Sequence, residues 1–188
     1  MKRTLAIPLL LLLAACPKHT QLHEIDVEEL GFQRQIIETI TEDGLIREEI
    51  DLNRDKQSDV FNYYRERTGA ARLLVRKEVD INRDGVIDNI SYFDEGGELE
   101  REEMDRDFNG KFDWIDHYMD GHRVMSEFDT SSNGQMNVFN TYANGVIAQK
   151  ERDTDDDGRI DYWERYEGGK VVKVGRDTDG DGKMDTRE

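Results

Sequence analysis

An all-β fold, built as an elongated array of tandem β-hairpins with a repeat of about 24 residues, is what this sequence predicts. Three observations carry the prediction. An Asp/Asn/Gly loop pattern returns at near-constant spacing, the segments between loops are too short for stable helices, and those segments are rich in aromatic and β-branched residues. The pattern is D-x-[DN]-x-[DN]-G-x-x-[DN], with an apolar residue at the eighth place. It is fullest at Asp153-Thr154-Asp155-Asp156-Asp157-Gly158-Arg159-Ile160-Asp161 and returns at Asp80, Asp105 and Asp177, with weaker forms at Asp51 and Asp129. The first aspartates therefore step by 29, 25, 24, 24 and 24 residues.

Taken in order, the chain opens with Met1-Lys2-Arg3, a leucine-rich run over 9–13 and then Ala14-Ala15, the charged, apolar and small regions of an export leader. The run is too short to span a membrane. Cys16, the only cysteine, comes next. Leu13-Ala14-Ala15-Cys16 resembles the lipobox of bacterial lipoproteins. That resemblance implies cleavage before Cys16, acylation of its thiol and new amino group, and a lipid-anchored place in the bacterial cell envelope. With Pro17 rather than Asp after the cysteine, it implies the outer membrane. An ordinary secretory leader with an incidental cysteine is the plainer alternative.

Residues 1–15 thus read as the signal peptide, 16–31 as a lipidated tether, 32–50 as a capping hairpin and 51–188 as the repeats. The tether lacks clear periodicity, and a short helix around Val27 to Leu30 is compatible with it. Apolar runs over 36–40 and 45–50, joined by Thr41-Glu42-Asp43-Gly44, predict the cap.

Aligned on their first aspartates, the repeats share four columns. Ten residues on stand Phe61, Ile90, Ile115, Phe139 and Trp163; thirteen on stand Tyr64, Phe93, Tyr118, Tyr142 and Tyr166. Glycine stands at sixteen (Gly96, Gly121, Gly145, Gly169) and a second apolar column at nineteen (Leu99, Val124, Ala148, Val172). The glycine divides the stretch between one loop and the next into segments of about seven residues, which suit strands better than helices. Asp120-Gly121 and Asn144-Gly145 are hairpin-turn dipeptides. Columns at ten and thirteen point to opposite faces of a regular strand. Either both sheet faces are partly covered, a bulge intervenes, or the segment is a helical turn.

Charge bounds the function. The 188 residues carry 43 acidic and 26 basic side chains, a net charge of −17, and loss of Lys2 and Arg3 with the leader takes it to about −19. Nucleic acid is excluded as a partner, and bound cations are expected to stabilise so self-repelling a chain. A lone cysteine leaves no disulfide for that task. Leu, Ile, Val and Phe make up only about a fifth of the chain after the leader, so a thick single core is not expected.

Calcium is the cation the loops suit. Ca²⁺ takes about six to eight oxygens at about 2.3–2.6 Å, and acids at loop positions 1, 3, 5 and 9 supply them around a glycine at the sharp sixth position. The candidate ligands are Asp153, Asp155, Asp157, Asp161 and Glu164 in one loop and Asp177, Asp179, Asp181, Asp185 and Glu188 in the next. Asp80, Asn82, Asp84 and Asp88, and Asp105, Asp107, Asn109 and Asp113, form two sparser sets, so several weakly held calcium ions are expected. Ile87, Phe112, Met136, Ile160 and Met184 anchor the eighth position. The loops at Asp51, where Lys56 replaces glycine, and at Asp129, with one acid before Gly134, read as plain turns.

These loops resemble those of EF-hands, dockerins and thrombospondin type 3 repeats, over the chain from Asp51 onward. The twelfth position, where an EF-hand implies a bidentate Glu, reads Asn62, Ser91, Asp116, Asn140, Glu164 and Glu188, so only the last two comply. The hairpin and glycine columns resemble MORN-type repeats instead, which carry no calcium loop.

No enzyme is expected. His19 and His23 lie in the tether, while His117 and His122 have no spaced ligand or nucleophile partner. Abundant acids in so acidic a chain are ordinarily solvated, and the aromatic columns read as ladders between hairpins. Two function classes remain: a lipid-anchored, calcium-stabilised scaffold or interaction module, and a metal-independent β-repeat that binds a peptide or envelope polysaccharide along its sheet.

Overall fold

The computed structural model describes residues 23–25 and 36–187. The leader, Cys16, the segment around Val27 to Leu30, and Glu188 lie outside the described residues. Fourteen strands lie in one sheet in chain order: β1 (His23–Ile25), β2 (Ile36–Ile40), β3 (Ile46–Ile50), β4 (Val60–Arg65), β5 (Leu73–Val79), β6 (Asn89–Phe93), β7 (Leu99–Met104), β8 (Trp114–Met119), β9 (His122–Phe128), β10 (Val138–Ala143), β11 (Val146–Arg152), β12 (Tyr162–Glu167), β13 (Lys170–Arg176) and β14 (Thr186–Arg187). Each pairs antiparallel with the next. The segment after each loop is therefore strand, and the helical-turn option closes.

The turns arise from their residues. Asp120-Gly121, Asn144-Gly145 and Gly168-Gly169 all take positive φ at both places, between 51° and 77°, which is the type I′ geometry that matches the right-handed twist of paired strands. Two hairpins use one residue more. Thr41–Leu45 and Asp94–Glu98 close with matching backbone bonds, Gly44 N–H to Thr41 C=O and Gly97 N–H to Asp94 C=O, each at 3.0 Å. The long step of 29 residues has its cause in the extended connection 66–72 between β4 and β5.

A bulge resolves the two aromatic columns. In five hairpins the register shifts immediately before the thirteenth position: Tyr63/Tyr64, Tyr92/Phe93, His117/Tyr118, Thr141/Tyr142 and Arg165/Tyr166. The unpaired extra residue lies on the return strand and is Val75, Glu100, Val124, Ala148 or Val172. This corrects the column at nineteen: Glu100, not Leu99, is the counterpart of Val124, because the 94–98 turn is one residue longer. Such bulges bend the strand and strengthen its twist.

β1 lies within the stretch read as the tether and pairs with β2, Ile25 opposite Ile36, so the β2–β3 hairpin is not the outermost member of the sheet.

The sheet is one layer thick among the described residues. Each strand touches only its neighbours in the sheet, and among the described residues the buried apolar side chains are Ile46, Val60, Tyr63 and Leu73. Stabilisation therefore comes from pairs within each face. On one face arginines lie over aromatic rings, with Arg47 4.5 Å from Phe61, Arg76 3.9 Å from Tyr63 and Arg101 5.7 Å from Tyr92. The same arginines pair along their strands with Glu49, Glu78 and Glu103. The other face carries a polar row through its middle, in which Glu48, Glu102, Asp116 and Glu164 accept from tyrosine, serine, asparagine or tryptophan neighbours.

The meander has a functional consequence. All the hairpin turns fall along one edge of the strands and all six aspartate loops along the other. Successive loops are joined there, because the N–H of each first aspartate donates to the carbonyl at the ninth position of the loop before: Asp80 to Asp59, Asp105 to Asp88, Asp129 to Asp113, Asp153 to Asn137 and Asp177 to Asp161, at 2.8–2.9 Å.

Candidate metal centre

Each loop is wrapped around its first aspartate. One carboxylate oxygen accepts the N–H at position 6, from Lys56, Gly85, Gly110, Gly134, Gly158 or Gly182, at 2.6–2.8 Å in all six loops. The side chain at position 9 accepts the N–H at position 2, from Leu52, Ile81, Arg106, Thr130, Thr154 or Thr178, at 2.6–3.2 Å. Position 5 accepts from position 7 at 2.7–2.9 Å. Positions 4 and 6 both take positive φ, and Lys56 does so at 74°, where the other loops place glycine. Loops 51–59 and 129–137 thus share the backbone of the acidic ones, which sequence pattern alone did not reveal.

The carboxylates converge in three loops. Oxygens of Asp105, Asp107 and Asp113, of Asp153, Asp155 and Asp161, and of Asp177, Asp179 and Asp185 each lie within 4.8 Å of one another, a grouping that could hold a metal ion. Positions 1, 3 and 9 make the cluster. Such oxygen-only sets suit a hard cation, calcium among them. Loop 80–88 brings Asp80 and Asp88 into buried places, 6% and 1% exposed, with Asn82 at the third position.

The electrostatics of the loops differ. Partial removal from water and the negative charges of Asp157, Asp153 and Asp161 push Asp155 above the usual aspartate range. Asp113 is raised in the same way, by desolvation and then by Asp107. In the last loop the same desolvation is outweighed by the N–H groups of Gly182, Gly180 and Asp179, which hold Asp177 low. Asp185 is held low by the N–H and hydroxyl of Thr178.

Several expected ligands stand apart from the clusters. Asp157 pairs with Arg159 and Asp181 with Lys183, at 2.5 and 2.8 Å, while the other oxygen of each accepts the N–H at position 7, and neither is among the carboxylates that converge. Asn109 and Asp84 have one oxygen occupied by the N–H at position 7. Glu164 is not brought to its loop at all. Strand β12 begins at Tyr162, so the twelfth position is already in the ladder, and its carboxylate accepts the hydroxyls of Tyr162 and Tyr166 on the sheet face. The bond to Glu164 pushes Tyr166 up to about 12.

One acid of the site escaped sequence reasoning. Asp156 reaches back to the preceding loop, where Asn137 Nδ2 donates to it at 2.8 Å and Ser131 Oγ at 3.3 Å. It thereby brings a carboxylate to the loop poorest in acids. The available hint was that Asp156 is the only acid at a fourth position, where the others are Arg54, Arg83, Phe108, Ser132 and Gly180.

No protein-family model matches the chain, and no curated protein is significantly similar to it.

Proposed function

We propose that this protein is a non-catalytic, calcium-binding repeat scaffold or interaction module, held on the bacterial cell envelope, at the outer membrane, through lipid on Cys16. The observation that carries the calcium part is the convergence of three carboxylates in each of three loops that lie on one edge of the sheet. A cation there removes like-charge repulsion and stiffens the joins between hairpins. Extracellular-type calcium modules bind at about 10⁻⁴–10⁻³ M, a range suited to loops whose twelfth ligand is elsewhere. The test is calorimetry and thermal unfolding in millimolar calcium and in chelator. Calcium heat together with a raised midpoint supports the reading, and identical behaviour in both refutes it.

The anchor rests on the lipobox-like Leu13-Ala14-Ala15-Cys16. Stable attachment needs more than one acyl chain, as the resemblance implies. Clickable fatty acid should label the wild type, and label persisting in Cys16→Ser would overturn the anchor.

A metal-independent β-repeat that binds a peptide or envelope polysaccharide is the second reading. It is favoured by loops 51–59 and 129–137, which close on the same N–H bonds without an acidic triad.

A further inference from the structure

The polar face of the sheet carries an open-sided cleft of ≈ 540 Å³ over β9, β10 and β11. That volume lies within the range of small-ligand sites. Its apolar wall is Phe128 and Val138, which face each other across the ladder, and its polar wall includes Asn140, Lys150 and Arg152, with Asp153 and its neighbours in the aspartate loops lining the rest.

Two features separate this cleft from the rest of the surface. Asn140 is 6% exposed, yet its Oδ1 accepts no hydrogen bond, and Arg152 Nε is likewise buried without a partner. Buried polar atoms left unpaired cost free energy, so a group that satisfies both is favoured there. The other unpartnered buried atoms among the described residues are Arg47, Arg76 and Arg101 Nε, which sit on the opposite face beside their own glutamates.

The second feature is charge. In a chain of net charge −17, Lys150 and Arg152 lie together on the cleft wall and neither makes an ion pair among the described residues. The nearby acids make their hydrogen bonds elsewhere, and in Glu164 desolvation is outweighed by two tyrosine hydroxyls and then by the charges of Arg152 and Lys150, so it is held low and balances those charges only through space. Asp153 turns its carboxylate into its own loop, to the N–H groups of Asp157 and Gly158, and Glu164, opposite Lys150 in the ladder, accepts two tyrosine hydroxyls.

We propose that this cleft binds a hydroxylated organic carboxylate of sugar-acid size. Lys150 and Arg152 take the carboxylate, Asn140 Oδ1 accepts a ligand hydroxyl, and the carbon frame lies against Phe128 and Val138. Charge-assisted bonds and relief of the unpaired atoms supply the affinity. The same chemistry is offered by a free sugar acid and by a uronate unit of a polymer. The site goes beyond the calcium reading and stands without it.

The test is titration of the full chain with sodium glucuronate, with trigalacturonate and with glucose, in calcium and in chelator, read by calorimetry and by amide shifts at Asn140 and Lys150. Saturable binding of glucuronate with none of glucose is expected, and tighter binding of trigalacturonate identifies the polymer as the source. Lys150→Gln should weaken binding roughly tenfold while Lys150→Arg retains it. Asn140→Leu should also weaken binding but leave the melting midpoint level or higher, because the oxygen it removes has no partner in the fold. Absence of saturable glucuronate binding in both calcium and chelator overturns the site, as does glucose binding equally well or a folded Lys150→Gln binding like wild type.

Discussion

Asp161 has two separable tasks, and two substitutions distinguish them. As a hydrogen-bond acceptor it takes the Thr154 N–H at 3.0 Å and the Thr154 hydroxyl at 2.6 Å. As a carboxylate it is one of the three that converge with Asp153 and Asp155. Asp161→Asn keeps the first task and loses much of the second. The chain itself shows that the exchange is tolerated, since Asn137 holds the same place in loop 129–137 and accepts Thr130 N–H at 2.9 Å. In chelator Asp161→Asn should therefore stay within about 0.5 kcal/mol of wild type. Asp161→Ala, which unpairs the Thr154 N–H, should lose about 1 kcal/mol. In calcium the order changes. At calcium a hundredfold above its dissociation constant a site adds about 2.7 kcal/mol, and a tenfold weaker site at the same concentration adds roughly 1.4 kcal/mol. Asp161→Asn should thus forfeit about half of what calcium contributes to this loop. Hydrogen-exchange mass spectrometry over 153–161, with and without calcium, isolates the loop from its neighbours. Equal calcium protection in Asp161→Asn and wild type would show that Asp161 is no ligand. Losses in chelator as large for Asn as for Ala would refute the hydrogen-bond assignment.

The same geometry sets other outcomes. Lys56→Gly should stabilise the β3–β4 join by about 1 kcal/mol, because Lys56 sits at φ 74° where glycine is unstrained, as chemical denaturation can read. Gly145→Ala, at φ 77° with open space around its Cβ, should cost about 1 kcal/mol from backbone strain alone, and a larger loss would mean that the turn is packed. Asp155 is raised, so its contribution to the empty loop is fullest in acid and is lost as pH rises through its raised value. Asp177 and Asp185 are lowered, so theirs is present above the ordinary aspartate range and is lost as pH falls through their lowered values. Acidification should accordingly displace calcium from loop 153–161 before loop 177–185, and calorimetry on variants with one loop disabled would reveal the opposite order if it held.

What the chain determines by itself is local. The loop period, the strands between loops and the hairpin turns are legible because each depends on neighbours a few residues apart: an aspartate reaching the N–H five places on, Asn-Gly suiting positive φ at two successive positions, segments too short to form a stable helix. The converging aspartates at positions 1, 3 and 9 are legible for the same reason. Cross-strand relations are not. The bulge opposite the thirteenth position, which allows both faces to carry aromatic columns, exists only as a register between strands. Whether those columns meet a second layer or only their own neighbours is decided by what packs on the sheet, and among the described residues nothing does. Glu164 matches a loop ligand by counting, yet the ladder begins before it and strand alternation carries it to the face, where tyrosine hydroxyls take it. Asp156 bonding into the loop before it, and Asn140, Lys150 and Arg152 meeting across two strands, likewise depend on the stacking of successive repeats, a distance relation that no single repeat contains.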